Sequence, residues 1–133
     1  MKSFDEGQYP HSDLTSEIIA SAQAVHAELR PGLAEVLYER ALCIEFAERS
    51  IDFAQQTVFA VNYKSRYIGE LIPDLIIDGR VIVDLKVVEA FSDTHVAQML
   101  GYLNITGLQI GLLINFKHAK LQIKRVANLR RQP

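Results

Sequence analysis

The 133-residue chain has no tryptophan, only one cysteine and no long hydrophobic run. The single cysteine, Cys43, excludes an internal disulfide framework and a thiolate-rich zinc site. No apolar run reaches the roughly 18 residues that a membrane-spanning helix needs, and residues 1–13 are too polar and acidic for a secretory signal. We therefore expect a cytoplasmic protein with no membrane partner.

Acidic residues outnumber basic residues only slightly, but the two kinds of charge are unevenly distributed along the chain. The chain has 16 acidic and 14 basic residues, for a net charge of −2. Residues 1–48 sum to −6, residues 49–116 to −2 and residues 117–133 to +6. A nucleic-acid-binding protein needs a basic patch, and the candidate is this last segment, with Lys117, Lys120, Lys124, Arg125, Arg130 and Arg131.

Apolar residues make up 49% of the chain and charged residues 23%, which is typical of one globular domain. We predict a flexible N-terminal arm over 1–14, a single domain over 15–126 and a basic C-terminal tail over 127–133. Apolar residues at helical spacing predict a first helix over 15–29, capped by Asp13, Thr15 or Ser16. Pro31 and Gly32 end it, and a second helix is predicted over 33–49.

After Ser50 the pattern changes to strands. We predict strands over 57–63 and 67–72, and two apolar strands, 71–77 and 80–88, joined around Asp78-Gly79. The continuous hydrophobicity of the last two indicates central strands covered on both faces. A helix capped by Ser92, Asp93 or Thr94 and running to about Ile105 follows, and after it come a strand over 109–116 and a half-exposed strand over 121–124. The predicted fold is α/β (α+β), in the order ααβββαββ, with a mixed central sheet flanked by helices.

Three charged residues interrupt the apolar central strands: Asp74, Asp84 and Lys86. An unpaired buried ion costs several kcal/mol or more, so these charges must pair, bind metal or face a cleft. Because side chains alternate along a strand, Asp84 and Lys86 share one face of the sheet.

The loop between these strands decides whether Asp74 joins them. A two-residue Asp78-Gly79 turn in strict register would place Asp74 and Asp84 on opposite faces. A three-residue loop, Asp78-Gly79-Arg80 with Ile77 opposite Val81, or a bulge would bring them together. We predict one of these two arrangements.

Two carboxylates beside a lysine suit a hard divalent cation such as Mg²⁺ or Mn²⁺, and the chemistry that fits is phosphodiester hydrolysis. Asp74, Asp84 and the Leu85 carbonyl would bind the metal, and Lys86 would orient the nucleophile or stabilise developing negative charge. The alternative is an Asp–Lys ion pair with a purely structural role, which spacing alone leaves equally open.

These residues resemble a known pattern. Pro73-Asp74 followed by Asp84-Leu85-Lys86 resembles the PD-(D/E)xK nuclease signature, and the predicted order of elements is similar to that fold. Gly32, Glu35 and Tyr38 fit the pattern of the bacterial GxxExxY proteins, a family within that superfamily. The resemblance continues through His95-Val96-Ala97-Gln98, Tyr102-Leu103, Thr106-Gly107 and 111–116. The family usually has glutamate at the position of Asp84, so this chain keeps the carboxylate with one methylene less.

The resemblance implies roles for further residues. Glu35 would be a metal ligand, directly or through water, whereas on its own it reads as a solvated helix acid. Gln98 would orient Lys86 or a phosphate, or be only a surface amide. Tyr38, Tyr102 and His95 are possible supporting residues, although a tyrosine in the position of Tyr38 is more often simply part of the core.

The leading hypothesis is a metal-dependent nuclease acting on DNA rather than RNA, with a homodimer or larger assembly possible. The second is a catalytically inactive module that binds nucleic acid or a protein, and the third is a purely structural domain. Tyr63 and Tyr67, which flank Lys64 and Arg66, could also contact nucleic acid by stacking and phosphate pairing.

Overall fold

A computed structural model describes residues 10–128 of the chain. It contains three helices and seven strands: α1 (Ser12–Leu29), α2 (Glu35–Glu48), β1 (Phe53–Gln55), β2 (Phe59–Tyr63), β3 (Arg66–Leu71), β4 (Leu75–Ile77), β5 (Val81–Lys86), α3 (Asp93–Thr106), β6 (Ile110–Asn115) and β7 (Gln122–Ala127). The predicted α+β class is confirmed.

The strands form two sheets. The central sheet has the order β1-β4-β5-β6-β7, in which β5 and β6 run parallel and the other neighbours antiparallel. Strands β2 and β3 form a separate two-stranded sheet. All residues of β4 and β6 are buried, as are all of β5 except Lys86, so the predicted central strands are covered on both faces.

Alternation along β5 divides the hydrophobic core in two. Val83 and Leu85 point towards α1 and α2, where they pack with residues such as Ile18. Ile82 points to the other face, where Met99 of α3 packs against it. Asp84 therefore faces α3, because it is two residues from Ile82.

The structure has five strands between α2 and α3, where the predicted order has three. Strand β1 is only three residues long and lies at the sheet edge, so it carries no periodic signal. The apolar run over 71–77 is divided between two sheets: β3 ends at Leu71, and β4 begins at Leu75. Pro73 lacks a backbone N–H for a sheet ladder, which is consistent with a break at this point.

The first helix also differs from its prediction. It begins at Ser12, so residues 12–14 belong to α1 rather than to the predicted arm, and its N-cap is His11, without a side-chain cap. Thr15 and Ser16, two of the predicted caps, lie inside the helix, and their hydroxyls donate hydrogen bonds to the Ser12 carbonyl. Of the three predicted caps of α3, the structure has Ser92, whose hydroxyl accepts a hydrogen bond from the His95 N–H.

Parts of the predicted terminal segments lie outside the described residues, namely 1–9 of the arm and 129–133 of the tail, with Arg130 and Arg131. Within the described part of the chain, no helix is long and apolar enough to cross a bilayer.

Candidate active site

The turn between β4 and β5 brings Asp74 and Asp84 together. The register pairs Ile77 with Val81 and Leu75 with Val83, so the loop is the three-residue segment 78–80. Asp78 and Gly79 both adopt left-handed backbone conformations, with φ of 53° and 66°. Extending this register by one residue places Asp74 opposite Asp84 on the face that α3 covers. The predicted odd-length loop is confirmed.

The two carboxyl groups are close enough to share a proton. Asp84 is only 4% exposed, whereas Asp74 is half-buried and accepts a 3.1 Å hydrogen bond from the Leu85 N–H. Burial, followed by the charge of Asp84 and a hydrogen bond between the two carboxyls, raises the pKa of Asp74 to about 7. At pH 7, Asp74 is therefore protonated in about half of the molecules when no cation neutralises the pair.

Lys86 lies on the same face and joins the pair to α3. Its Nζ is 3.3 Å from Asp84 Oδ2 and donates a 3.4 Å hydrogen bond to Gln98 Oε1. The structure thus brings Asp74, Asp84, Lys86 and Gln98 together, and Gln98 holds the lysine as the resemblance implies. An ion pair satisfies Asp84, but it does not remove the electrostatic cost of ionising Asp74.

Helix α2 adds two acids at this end of the sheet. Burial raises the pKa of Glu35, the positive charge of Lys86 lowers it, and the charges of Asp84 and Glu39 raise it further. Glu35 is exposed to solvent, whereas Glu39 is buried and accepts a 3.2 Å hydrogen bond from Gln55 Nε2. Sequence reasoning missed Glu39, although its spacing of four from Glu35 puts it on the same helical face.

Of the three supporting residues, only Tyr102 faces the carboxylates. Burial is the main cause that raises the pKa of the Tyr102 phenol, and the negative charges of Asp84 and Asp74 raise it further. His95 instead completes the cap of α3, where its Nδ1 accepts a 3.0 Å hydrogen bond from the Ser92 N–H.

Tyr38 is a core residue and not a supporting residue of the site. It is fully buried and stacks on Phe116 with ring centroids 4.6 Å apart. Its hydroxyl donates to the Arg30 carbonyl at 2.5 Å and accepts from the Leu33 N–H at 3.2 Å. These bonds tie down the turn between α1 and α2, so Tyr38 fixes the point at which α2 and Glu35 begin.

The donor set at this site fits a hard divalent cation. Among residues 10–128, no three His, Cys, Asp or Glu side chains are arranged as a preformed metal cluster. Mg²⁺ commonly uses one or two carboxylates and retains several waters, and the Asp74–Asp84 pair supplies that number. A cation held there would also remove the repulsion that raises the Asp74 pKa.

Comparison with known families identifies the superfamily of this chain. Residues 12–126 match the family model described as the PD-(D/E)XK nuclease superfamily. The chain belongs to the PD-(D/E)XK nuclease superfamily. The superfamily match begins at the first residue of α1 and ends one residue before the end of β7, and it includes the Pro73-Asp74 and Asp84-Leu85-Lys86 segments that carry the candidate site.

A solved structure shares the fold of this chain. The protein described as "Crystal structure of SSO0001" matches with a TM-score of 0.54 and 12% sequence identity, over 92% of this chain and 59% of that chain. The chain therefore spans about three fifths of the length of that structure. No curated protein matches the chain.

Proposed function

We propose that this chain is a metal-dependent nuclease of the GxxExxY family, hydrolysing phosphodiester bonds in DNA rather than RNA. One observation carries the proposal: two opposed carboxyls, Asp74 and Asp84, share a buried face with Lys86, and the pKa of Asp74 is raised to about 7. A structural ion pair needs one acid for one lysine. The second acid adds an electrostatic cost that a bound cation would offset.

Asp74, Asp84 and the Leu85 carbonyl would hold Mg²⁺ or Mn²⁺, with Glu35 contributing directly or through water. The cation supplies charge neutralisation at the scissile phosphate. The Leu85 N–H orients Asp74, because it donates to Oδ2 at 3.1 Å. Gln98 and Asp84 hold the Lys86 ammonium from two sides, which preorganises its positive charge for the developing negative charge on phosphate.

Basic residues lie at the same end of the sheet as this site. Strands β5 and β6 are parallel and pair Lys86 with Asn115, so the loop after β6, with Lys117 and Lys120, is beside the carboxyl end of β5. On β7, Lys124 pairs with Leu113, which in turn pairs with Asp84. The positions of these lysines support the proposal, because positive charge near the site would attract a phosphate backbone.

The test is cleavage of matched single- and double-stranded DNA and RNA with Mg²⁺, with Mn²⁺ and with chelator. We expect the wild type to cleave DNA when metal is present, and Lys86→Ala and Asp84→Ala to lose at least about 100-fold in rate. Asp52→Ala is the matched control: Asp52 is exposed, lies across from the β4–β5 turn and should retain full activity.

Equal cleavage by all variants would indicate a contaminating enzyme and overturn the assigned site. The ion pair between Lys86 and Asp84, which satisfies that carboxyl without a cation, favours a second candidate, a nuclease-fold module that binds without cleaving. That alternative predicts no cleavage by any protein, but salt-sensitive binding of nucleic acid that survives Lys86→Ala and Asp84→Ala.

A further inference from the structure

The β2–β3 hairpin exposes aromatic and apolar side chains that a soluble surface rarely presents. Tyr63 and Tyr67 are each 62% exposed, and Ile68 is 65% exposed. The hairpin forms its own two-stranded sheet and is not hydrogen-bonded into the central sheet as a strand. Isolated hairpins are marginally stable in water, so this exposure has a cost that a binding role would explain.

The hairpin carries one tyrosine on each of its faces near the tip. Tyr63 pairs with Arg66, and the neighbouring pair is Asn62 with Tyr67. Successive pairs point to opposite faces of a ribbon, so the two phenol rings point in opposite directions. A register shift between Val61 and Asn62 accompanies this arrangement and leaves Ile68 without a paired partner on β2.

The tip between the tyrosines is basic. The turn consists of Lys64 and Ser65, both with left-handed backbone conformations at φ of 49° and 66°, and Arg66 follows it. The Lys64 ammonium lies 5.4 Å from the centroid of the Tyr63 ring, which helps to fix that ring. Cations flanking exposed aromatic rings are the combination that binds phosphates and stacks on unpaired bases.

Both strands of the hairpin are anchored next to the candidate site. Strand β3 ends at Leu71, three residues before Asp74, and the Gln56 N–H, which precedes β2, donates to the Asp74 carbonyl at 3.1 Å. At about 3.3 Å per residue, the nine residue steps from Ser65 in the turn to Asp74 span no more than about 30 Å. Nucleic acid held by the tip would thus remain within reach of the site.

We propose that the β2–β3 hairpin is a wedge that binds nucleic acid where duplex opens into single strands, with an unpaired base stacked on Tyr63 and another on Tyr67. Lys64 and Arg66 contact the phosphates of the diverging strands. This inference rests on the proposed function for its choice of nucleic acid as ligand, and it deepens that function by naming a splayed junction as the substrate class.

The same surface suits other occupants less well. Intact duplex hides the faces of its bases, so it would leave both tyrosine rings without stacking partners. Two copies of the chain meeting at their tips would bring Lys64 and Arg66 of each close to those of the other, and this repulsion opposes association. A splayed junction supplies both the negative charge and two unpaired bases.

The test measures binding by fluorescence anisotropy with chelator present, so that the result does not depend on cleavage. The probes are a single strand, a blunt duplex and a splayed fork of the same sequence. We expect the fork to bind most tightly and Tyr63→Ala and Tyr67→Ala each to weaken fork binding by about 5- to 100-fold, the range for losing one base–aromatic stack. Tyr63→Phe and Tyr67→Phe should retain fork binding.

Two further variants complete the design. Lys64→Gln with Arg66→Gln should lower the salt dependence of binding, since each lost phosphate contact reduces the slope by about 0.7 to 0.9. Ile44→Ala is the matched control, because Ile44 is also 62% exposed but lies on α2, and it should bind like wild type.

Fork binding no tighter than duplex binding, or tyrosine variants that bind like Ile44→Ala, would overturn the proposal. Self-association that is lost in Tyr67→Ala would also overturn it, by assigning the surface to a second copy. Failure of cleavage together with tyrosine-dependent fork binding would overturn the proposed function alone. Cleavage that is indifferent to the tyrosine variants and to forks would overturn the wedge alone.

Discussion

The carboxyl of Asp74 has a pKa of about 7 in the folded chain, against 3.8 when it is unperturbed. Because the folded-state pKa is raised, its favourable contribution is fully present below about pH 4 and is lost as pH rises through about 7. In the metal-free protein, this residue should therefore lower the free energy of unfolding most at neutral to alkaline pH.

Replacing this one carboxyl by an amide tests that cost. Asp74→Asn should be about 1–2 kcal/mol more stable than wild type at pH 8 in chelator, a value that allows for partial solvent screening, and should show no such gain near pH 4. Urea denaturation at the two pH values measures it, with Asp52→Asn as the control. An Asp74→Asn variant no more stable than wild type at pH 8 would show that ionising Asp74 does not destabilise the folded protein.

At the scale of elements, the geometry of the turn between α1 and α2 explains why the chain has Gly32 and Tyr38 at either end of this motif. Gly32 adopts φ of 120°, a conformation that side chains rarely allow, and the Tyr38 hydroxyl bonds both ends of the turn. The motif therefore places Glu35 at the first position of α2 rather than contributing Tyr38 to the chemistry.

Tyr38→Phe removes both hydroxyl bonds while keeping the stack on Phe116. It should lower the free energy of unfolding by about 1–3 kcal/mol, because the Arg30 carbonyl and the Leu33 N–H lose their partner. Thermal denaturation measures the loss. A variant as stable as wild type would contradict the role assigned to this hydroxyl.

The contact between α3 and β6 positions Gln98 and Tyr102. A Cβ added at Gly111 would overlap Met99 Sδ and lie 2.8 Å from Met99 Cγ, and Met99 is buried. Gly111→Ala should therefore cost about 1–3 kcal/mol in stability and reduce any cleavage activity, since the Met99 side chain must move within a packed core and disturb the contact between α3 and the sheet.

Adding Met99→Ala to Gly111→Ala tests the cause, because it removes the clashing side chain. The double variant should be less destabilised than the sum of the two single variants, as measured by denaturation. Strict additivity would mean that the two residues do not press on each other as the structure indicates.

Sequence patterns predicted these elements unequally well. The β4–β5 hairpin could be predicted because strand alternation allows only an odd-length loop or a bulge to bring Asp74 and Asp84 to one face. Strand β1 could not, since three edge residues carry no pattern. Glu39 was missed for a related reason: its burial depends on Gln55, which β1 supplies from a distant part of the chain.

At the scale of the whole molecule, the unequal charge along the chain is only partly gathered at the site. Lys117 follows β6 at the end where Lys86 lies, although it also pairs with Glu89 at 3.7 Å. Arg125 points to the other side of the sheet, where it donates to the Pro10 carbonyl at 2.7 Å and anchors the start of α1. The basic segment therefore has a structural role, through Arg125, as well as a lysine near the candidate site.

The proposed nuclease chemistry requires Asp74 and Asp84 to bind one divalent cation between them. Calorimetric titration of Mn²⁺ into wild type, Asp74→Asn, Asp84→Asn and Asp52→Asn at pH 6 and pH 8 tests this most directly. We predict one bound cation per wild-type and Asp52→Asn chain, about tenfold tighter at pH 8 because Asp74 must lose its proton, and no binding by the other two variants. Binding of equal strength in all four proteins, or binding by the wild type that does not change with pH, would contradict it.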